Sequence, residues 1–194
     1  MFNLRSDLYG SPIKLDNLMS VEECNFLIEK VTSELFLVDA TVERSKGEKD
    51  NTVRDSEVVF LPFNDDYLPL YNKIANCIVD INNKWFNYDL LVCSPIQFTK
   101  YDDKTSGFYA PHRDTVEGQF GTVRKLSFSI QLSDPNSYEG GDLVYYDTTI
   151  HKTSMQRDQG CINLFPSYSI HEVTPVTKGT RYSLVGWVSG PPFK

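Results

Sequence analysis

The chain has only three histidines in 194 residues, at positions 112, 151 and 171. One of them opens His112-Arg113-Asp114, which sets an imidazole and a carboxylate two residues apart. On an extended strand, residues two apart point to the same face; on a helix they do not. The preceding Tyr109-Ala110-Pro111 argues for the extended form, because Pro111 disfavours the helical region for Ala110. His112 and Asp114 can therefore converge on one ion. A third ligand must come from elsewhere, and His171 is the best candidate. It follows the strand end and turn Phe165-Pro166-Ser167-Tyr168 and opens the run His171-Glu172-Val173. Two histidines and one carboxylate on one face of an octahedral metal leave three positions open, a set suited to non-haem Fe(II). His151, in Thr148-Thr149-Ile150-His151-Lys152, lacks a partner pattern and reads as a solvated turn histidine.

Arg181 stands ten residues after His171 and starts Arg181-Tyr182-Ser183-Leu184-Val185-Gly186-Trp187-Val188. Strand alternation puts Arg181, Ser183, Val185 and Trp187 on one face. A guanidinium in an apolar pocket is costly unless it meets an anion. It can grip a carboxylate through two parallel hydrogen bonds. A dicarboxylate reaching from the metal to Arg181 would satisfy both ends.

Helices are expected first. Ser20-Val21-Glu22-Glu23 is a capping-box pattern, followed by Phe26, Leu27 and Val31 at helical spacing. Residues 40–54 are polar, with few apolar anchors, and read as a mobile loop or irregular hairpin, placed where a lid could lie. A strand over 56–61 stops at Pro62, and Asn64-Asp65-Asp66 signals the cap of a second helix. Its apolar stripe is Leu68, Tyr71, Ile74, Ala75, Ile78, Ile81 and Trp85, which must lie on something large such as a sheet. From about residue 90, short β-rich runs alternate with turns, at 91–101, 124–133, 142–147, 160–165, 170–176 and 181–188. Strands without intervening helices predict an antiparallel sandwich or jelly roll. The expected organisation is a single domain over 1–194, with 1–90 as helical support and first strands and 91–190 as a jelly-roll core.

Composition sets outer bounds. Hydrophobic residues make up 40% and charged residues 23%, as in ordinary globular proteins. The net charge of −7, with no basic block, disfavours nucleic acid and favours a neutral or basic substrate. Cys24, Cys77, Cys93 and Cys161 are too scattered for a zinc knuckle and read as free thiols. No membrane span or signal peptide is expected, which makes the cytoplasm the default compartment. The sequence leaves the oligomeric state open.

Four pieces in order carry a resemblance: Gln97-Phe98-Thr99-Lys100-Tyr101, Tyr109 through Asp114, Tyr138-Glu139-Gly140-Gly141-Asp142-Leu143, and His171 through Trp187. Val53-Arg54-Asp55-Ser56 and Asn83-Lys84-Trp85-Phe86 are fainter echoes. Together they resemble the prolyl 4-hydroxylase-like branch of the Fe(II)/2-oxoglutarate-dependent oxygenases. The resemblance implies a double-stranded β-helix, a cupin-like jelly roll supported by the N-terminal helices. It implies iron on His112, Asp114 and His171, and the far carboxylate of 2-oxoglutarate on Arg181. Tyr101 would lie beside the co-substrate, Leu143 and Trp187 would wall its pocket, and Gln131 falls where some members use a tyrosine on the far carboxylate. Tyr109 and Arg124 would face the substrate. Dioxygen is the other co-substrate, and ascorbate an accessory reductant. The implied activity is hydroxylation of a prolyl residue in a protein or peptide. The alternatives are a free amino acid or other small molecule as substrate, or a non-catalytic cupin-like metal-binding module.

Overall fold

Ser20, itself in an extended conformation, caps the start of the helix α1 (Val21–Glu34). Its hydroxyl accepts from the Glu23 amide at 3.2 Å, and the Glu23 carboxylate accepts from the Ser20 amide at 2.8 Å. The reciprocal cap expected from the sequence is therefore formed, and two orphan amides of the first turn are satisfied. Changing Ser20 to alanine should cost about 1 kcal/mol, read as a fall of roughly 2–4 °C in a thermal melt. Cys24, Leu27 and Val31 form the buried face of α1. Phe26 was expected there, but it is 65% exposed, because two residues from Cys24 is more than half a helical turn.

The second helix, α2 (Leu68–Ile81), follows Asn64, whose side-chain oxygen accepts from the Tyr67 amide at 3.3 Å. It buries Ile74, Cys77, Ile78 and Ile81. Ala75, placed in the stripe by sequence, faces outward, and Cys77 takes its role. After Ile81 the chain widens into a π-helical turn, Asn82–Phe86, closed by left-handed Asn87 at φ 52°. The wider turn breaks the 3.6-residue period. Phe86 is buried and Trp85, expected in the stripe, is 37% exposed. The computed structural model describes residues 11–41, 50–117, 121–147 and 152–193, so His151 and most of the 40–54 segment lie outside it.

Fourteen strands run through the described residues. In chain order they are β1 (Ile13–Leu15), β2 (Val38–Asp39), β3 (Arg54–Asp55), β4 (Glu57–Phe60), β5 (Val92–Cys93), β6 (Gln97–Asp102) and β7 (Phe108–His112). Then come β8 (Val123–Gln131), β9 (Tyr138–Gly140), β10 (Leu143–Tyr146), β11 (Lys152–Ser154), β12 (Ile162–Pro166), β13 (His171–Val173) and β14 (Val176–Gly190). The larger sheet has the order β1-β12-β8-β14-β6-β4-β2, with β5 and β9 added to β14. The smaller has the order β11-β10-β13-β7-β3. Every pairing is antiparallel. This is the predicted jelly roll. Two expected strands are cut by proline. Ser94-Pro95 separates β5 from β6, and Pro175 separates β13 from β14, since proline brings no amide to a ladder. The strands flanking segment 40–54 do not pair with each other: β2 pairs with β4 in one sheet and β3 pairs with β7 in the other.

Alternation sorts the central strands. Leu126, Phe128 and Ile130 of β8, with Leu184 and Val188 of β14, join the core cluster that includes Leu27, Val31, Ile74 and Ile78 of the helices. The residues between them turn into the space between the sheets. Ser183 pairs with Gln131, Val185 with Ser129 and Trp187 with Ser127. A second cluster, including Tyr101, Leu143, Tyr145, Phe165, Val173 and Val176, packs there. The helices therefore brace one face of the larger sheet and leave its other face free to build a site. All four cysteines are free, and burial pushes the Cys24 thiol up to about 12 and Cys161 to about 11. No described helix is long and apolar enough to cross a membrane.

Candidate active site

His112 ends β7 and His171 begins β13, and the two are direct partners in the ladder. Directly opposed residues in an antiparallel pair have side chains on the same face, and the two rings lie 4.2 Å apart between centroids. Asp114 sits just beyond the strand, not on it as the spacing alone suggested. Its amide donates to the Ser167 carbonyl at 2.9 Å. That bond ties the chain after β7 to the turn before β13 and returns the carboxylate to the histidines. Asp114 Oδ1 is 3.5 Å from His112 Nε2, and Oδ2 is 3.3 Å from His171 Nε2. Candidate ligand atoms of all three lie within 4.8 Å of one another.

The outer nitrogens are also arranged. His112 Nδ1 is 2.8 Å from the Ala110 carbonyl and His171 Nδ1 is 3.1 Å from the Ser169 carbonyl. A carbonyl only accepts, so each Nδ1 carries a proton and each Nε2 is the nitrogen that faces Asp114. Burial works against ionising Asp114, but the His171 and His112 rings outweigh it and hold the carboxyl well below its usual range. Burial likewise holds the His112 imidazolium below its ordinary value, whereas Asp114 outweighs burial at His171 and raises it. An ionised carboxylate and two oriented imidazoles form a complete donor set for a hard-to-borderline divalent cation.

Arg181 is 3% exposed. Its guanidinium donates to Ser183 Oγ at 3.3 Å and lies 5.6 Å from the Tyr101 ring centre. Among the described residues it forms no ion pair. Tyr101, Leu143, Val185 and Phe165 line the same inner chamber as Arg181 and His171. Gly141 lets the turn pass beneath Arg181. Its φ is +62°, and an added Cβ would sit 3.1 Å from Arg181 Cδ. Gln131 is buried on the inner face beside Ser183, but its amide is directed at the Tyr138 hydroxyl, 3.0 Å away, and it does not line the chamber.

A second, outer cavity of about 580 Å³ adjoins the chamber at His112 and Asp114. Arg54, Gln97, Tyr109, His112, Asp114 and Trp187 line both spaces. Tyr109 stacks on His112, with centroids 3.5 Å apart and planes 15° apart. The Arg124 guanidinium lies 4.1 Å from the Trp187 ring centre. Of the candidate metal, co-substrate and substrate residues, all but Gln131 line one or both of these spaces. Arg54, Gln97 and Tyr138 had no role assigned from sequence. Strand parity offered a signal for one of them: Gln97 shares a face of β6 with Thr99, its hydrogen-bond partner, and Tyr101.

Comparison with known proteins gives the same picture. Residues 96–189 match the 2OG-Fe(II) oxygenase superfamily. A PKHD-type hydroxylase of Klebsiella pneumoniae is 33% identical over 131 residues, covering 64% of this chain and 58% of the relative. The PKHD-type hydroxylase YbiX of Escherichia coli is 36% identical over 126 residues, covering 63% and 55%. The chain therefore spans little more than half the length of these curated relatives. In fold it is similar to a prolyl hydroxylase from Trichoplax adhaerens, solved with a hypoxia inducible factor peptide fragment, at TM-score 0.76 and 16% identity, covering 92% of this chain and 83% of the other. A Pseudomonas putida prolyl-4-hydroxylase gives TM-score 0.72 and 18% identity, covering 94% of each chain.

Proposed function

We propose, for a chain whose residues 96–189 match the 2OG-Fe(II) oxygenase superfamily, that it is an Fe(II)- and 2-oxoglutarate-dependent dioxygenase that hydroxylates a prolyl residue of a protein or peptide. The observation that carries the reading is a buried guanidinium with no anion among the described residues, beside a convergent His-Asp-His set. Arg181 lines the same chamber as His112, Asp114 and His171. A metal alone would leave Arg181 uncompensated, and an isolated anion would leave the histidines without purpose. A dicarboxylate held at both ends satisfies both.

The donor set fits iron: each imidazole is fixed through Nδ1 and presents Nε2, and Asp114 is ionised. His112, Asp114 and His171 would hold the metal, and Arg181 would grip the far carboxylate. Bound iron, with 2-oxoglutarate and dioxygen, supplies oxidising power sufficient to hydroxylate an unactivated C–H bond, with ascorbate as an accessory reductant. The protein's own residues do the positioning. Tyr101, Leu143 and Phe165 keep the inner chamber dry, which strengthens the Arg181 contact. Tyr109 and Trp187 stand between the two spaces and confine the substrate to the outer one. Arg124 and Tyr109 would meet the substrate. The likeness to the prolyl hydroxylase solved with a peptide fragment supports a peptide substrate, and residues 1–194 are read as a single oxygenase domain. Incubation with Fe(II) and 2-oxoglutarate in air should form succinate, and omission of either should abolish it. Succinate formation independent of added iron after chelation would overturn the reading.

A further inference from the structure

We infer that the substrate carries a carboxylate within one or two residues of the position that is oxidised. The inference rests on the oxygenase reading and deepens it. Net charge pointed the other way, since a chain at −7 favours a neutral or basic substrate. The described lining of the outer cavity has the opposite sign. It carries three guanidinium groups, Arg54, Arg113 and Arg124, against one carboxylate, Asp114. Asp114 is already engaged, with one oxygen toward each histidine.

Arg54 supplies the directed contact. It is only 7% exposed. Its Nε donates to Ser56 Oγ at 2.8 Å, and its guanidinium lies 4.7 Å from the Tyr109 ring centre. These contacts fix the fork, and its terminal nitrogens have no acceptor among the described residues. A guanidinium this buried is costly without an anion, and its two parallel N–H groups match a carboxylate. Tyr109 is stacked on His112 in turn, at 3.5 Å. The Arg54 guanidinium therefore lies no farther from the His112 ring than the two stacking distances laid end to end. An extended peptide advances about 3.3–3.6 Å per residue, which limits the acid to the immediate neighbourhood of the reacting residue. Exposed Arg113 on the rim forms no described ion pair and adds attraction that salt will screen.

The test uses paired probes with the full chain. The peptides Ac-Ala-Asp-Pro-Ala-NH2 and Ac-Ala-Pro-Asp-Ala-NH2 are compared with their Asn counterparts, and free proline with prolinamide. The readouts are a product heavier by one oxygen atom and, without turnover, calorimetric binding to the Mn(II)-loaded protein with 2-oxoglutarate. At least one acidic member should exceed its neutral counterpart by about tenfold or more in kcat/KM or affinity. Whether the preferred acid is a side chain or a free α-carboxylate shows which source the site takes. In Arg54→Gln the ratio should fall toward one, and in Arg54→Lys it should survive in part. If Arg54→Gln does not fold, the exposed Arg113→Gln should still lower the ratio and make it less sensitive to salt. Equal handling within every pair, including no handling of any member, overturns the inference. Basal succinate formation is measured in parallel. Its presence would keep the oxygenase reading standing in that case, and its absence would bring down that reading separately.

Discussion

Arg181→Ala should raise the 2-oxoglutarate concentration needed for half-saturation by roughly thirtyfold to several thousandfold, the effect of truncating one partner of a buried, hydrogen-bonded charge pair. The size follows from its surroundings. Arg181 is 3% exposed, and its side-chain partners among the described residues are Ser183 and the Tyr101 ring. The far carboxylate would be left in a dry chamber with no replacement cation among the described lining residues nearer than Arg54. Without ligand, the same change removes a buried charge that has no anion, so the unliganded protein should lose little stability beyond the packing of the side chain. Two measurements separate these effects. Wild-type protein loaded with Mn(II) should melt at a higher temperature when 2-oxoglutarate is added, as any ligand that binds only the folded state requires. Arg181→Ala should show almost none of that rise at the same concentration. An unchanged rise would remove Arg181 from the co-substrate site.

The second large effect is at the metal. His171→Ala or Asp114→Ala should abolish measurable succinate formation and lower metal affinity by more than the 10–100-fold typical of losing an outer-sphere partner. Asp114 is the more severe of the two, because it faces both imidazoles and is the only carboxylate in the set. Circular dichroism should show a folded protein in each case. The ladder between β7 and β13 is made by backbone groups, and neither side chain is a member of the hydrophobic cluster between the sheets.

Much of this site was legible because the chemistry is local in sequence. The His112–Asp114 spacing marked the pair, although Asp114 lies just past the strand end, and parity gave the inward face of Arg181, Ser183, Val185 and Trp187. What sequence could not supply was the ladder register that sets His171 opposite His112. Register depends on how two distant strands dock, and nothing local to either strand fixes it. The helices show the same limit. The capping box at Ser20 is a local hydrogen-bond pattern and formed as expected. Trp85 left the predicted stripe because a π-helical turn changes the number of residues per turn, which a fixed period does not anticipate. Net charge was the least informative quantity. It sums over the whole surface, whereas the cavity beside the histidines is lined by three arginines.

Gln131 illustrates a different gap. The family resemblance put an amide where some members use a tyrosine. Here the amide is committed to Tyr138, whose ring packs beside Gly141 and the Arg181 stem. A position can thus align while its side chain bonds elsewhere, and only the three-dimensional neighbours reveal it.

The most direct test of the central claim is an anaerobic titration of the protein with Fe(II) and 2-oxoglutarate, followed by visible absorption. If His112, Asp114 and His171 hold the iron and Arg181 steadies the co-substrate, a weak charge-transfer band should grow to saturation at one equivalent of each. It should need far more 2-oxoglutarate in Arg181→Ala and be missing in His171→Ala. A wild-type protein that binds neither iron nor 2-oxoglutarate, or a band unaffected by either substitution, would contradict the account.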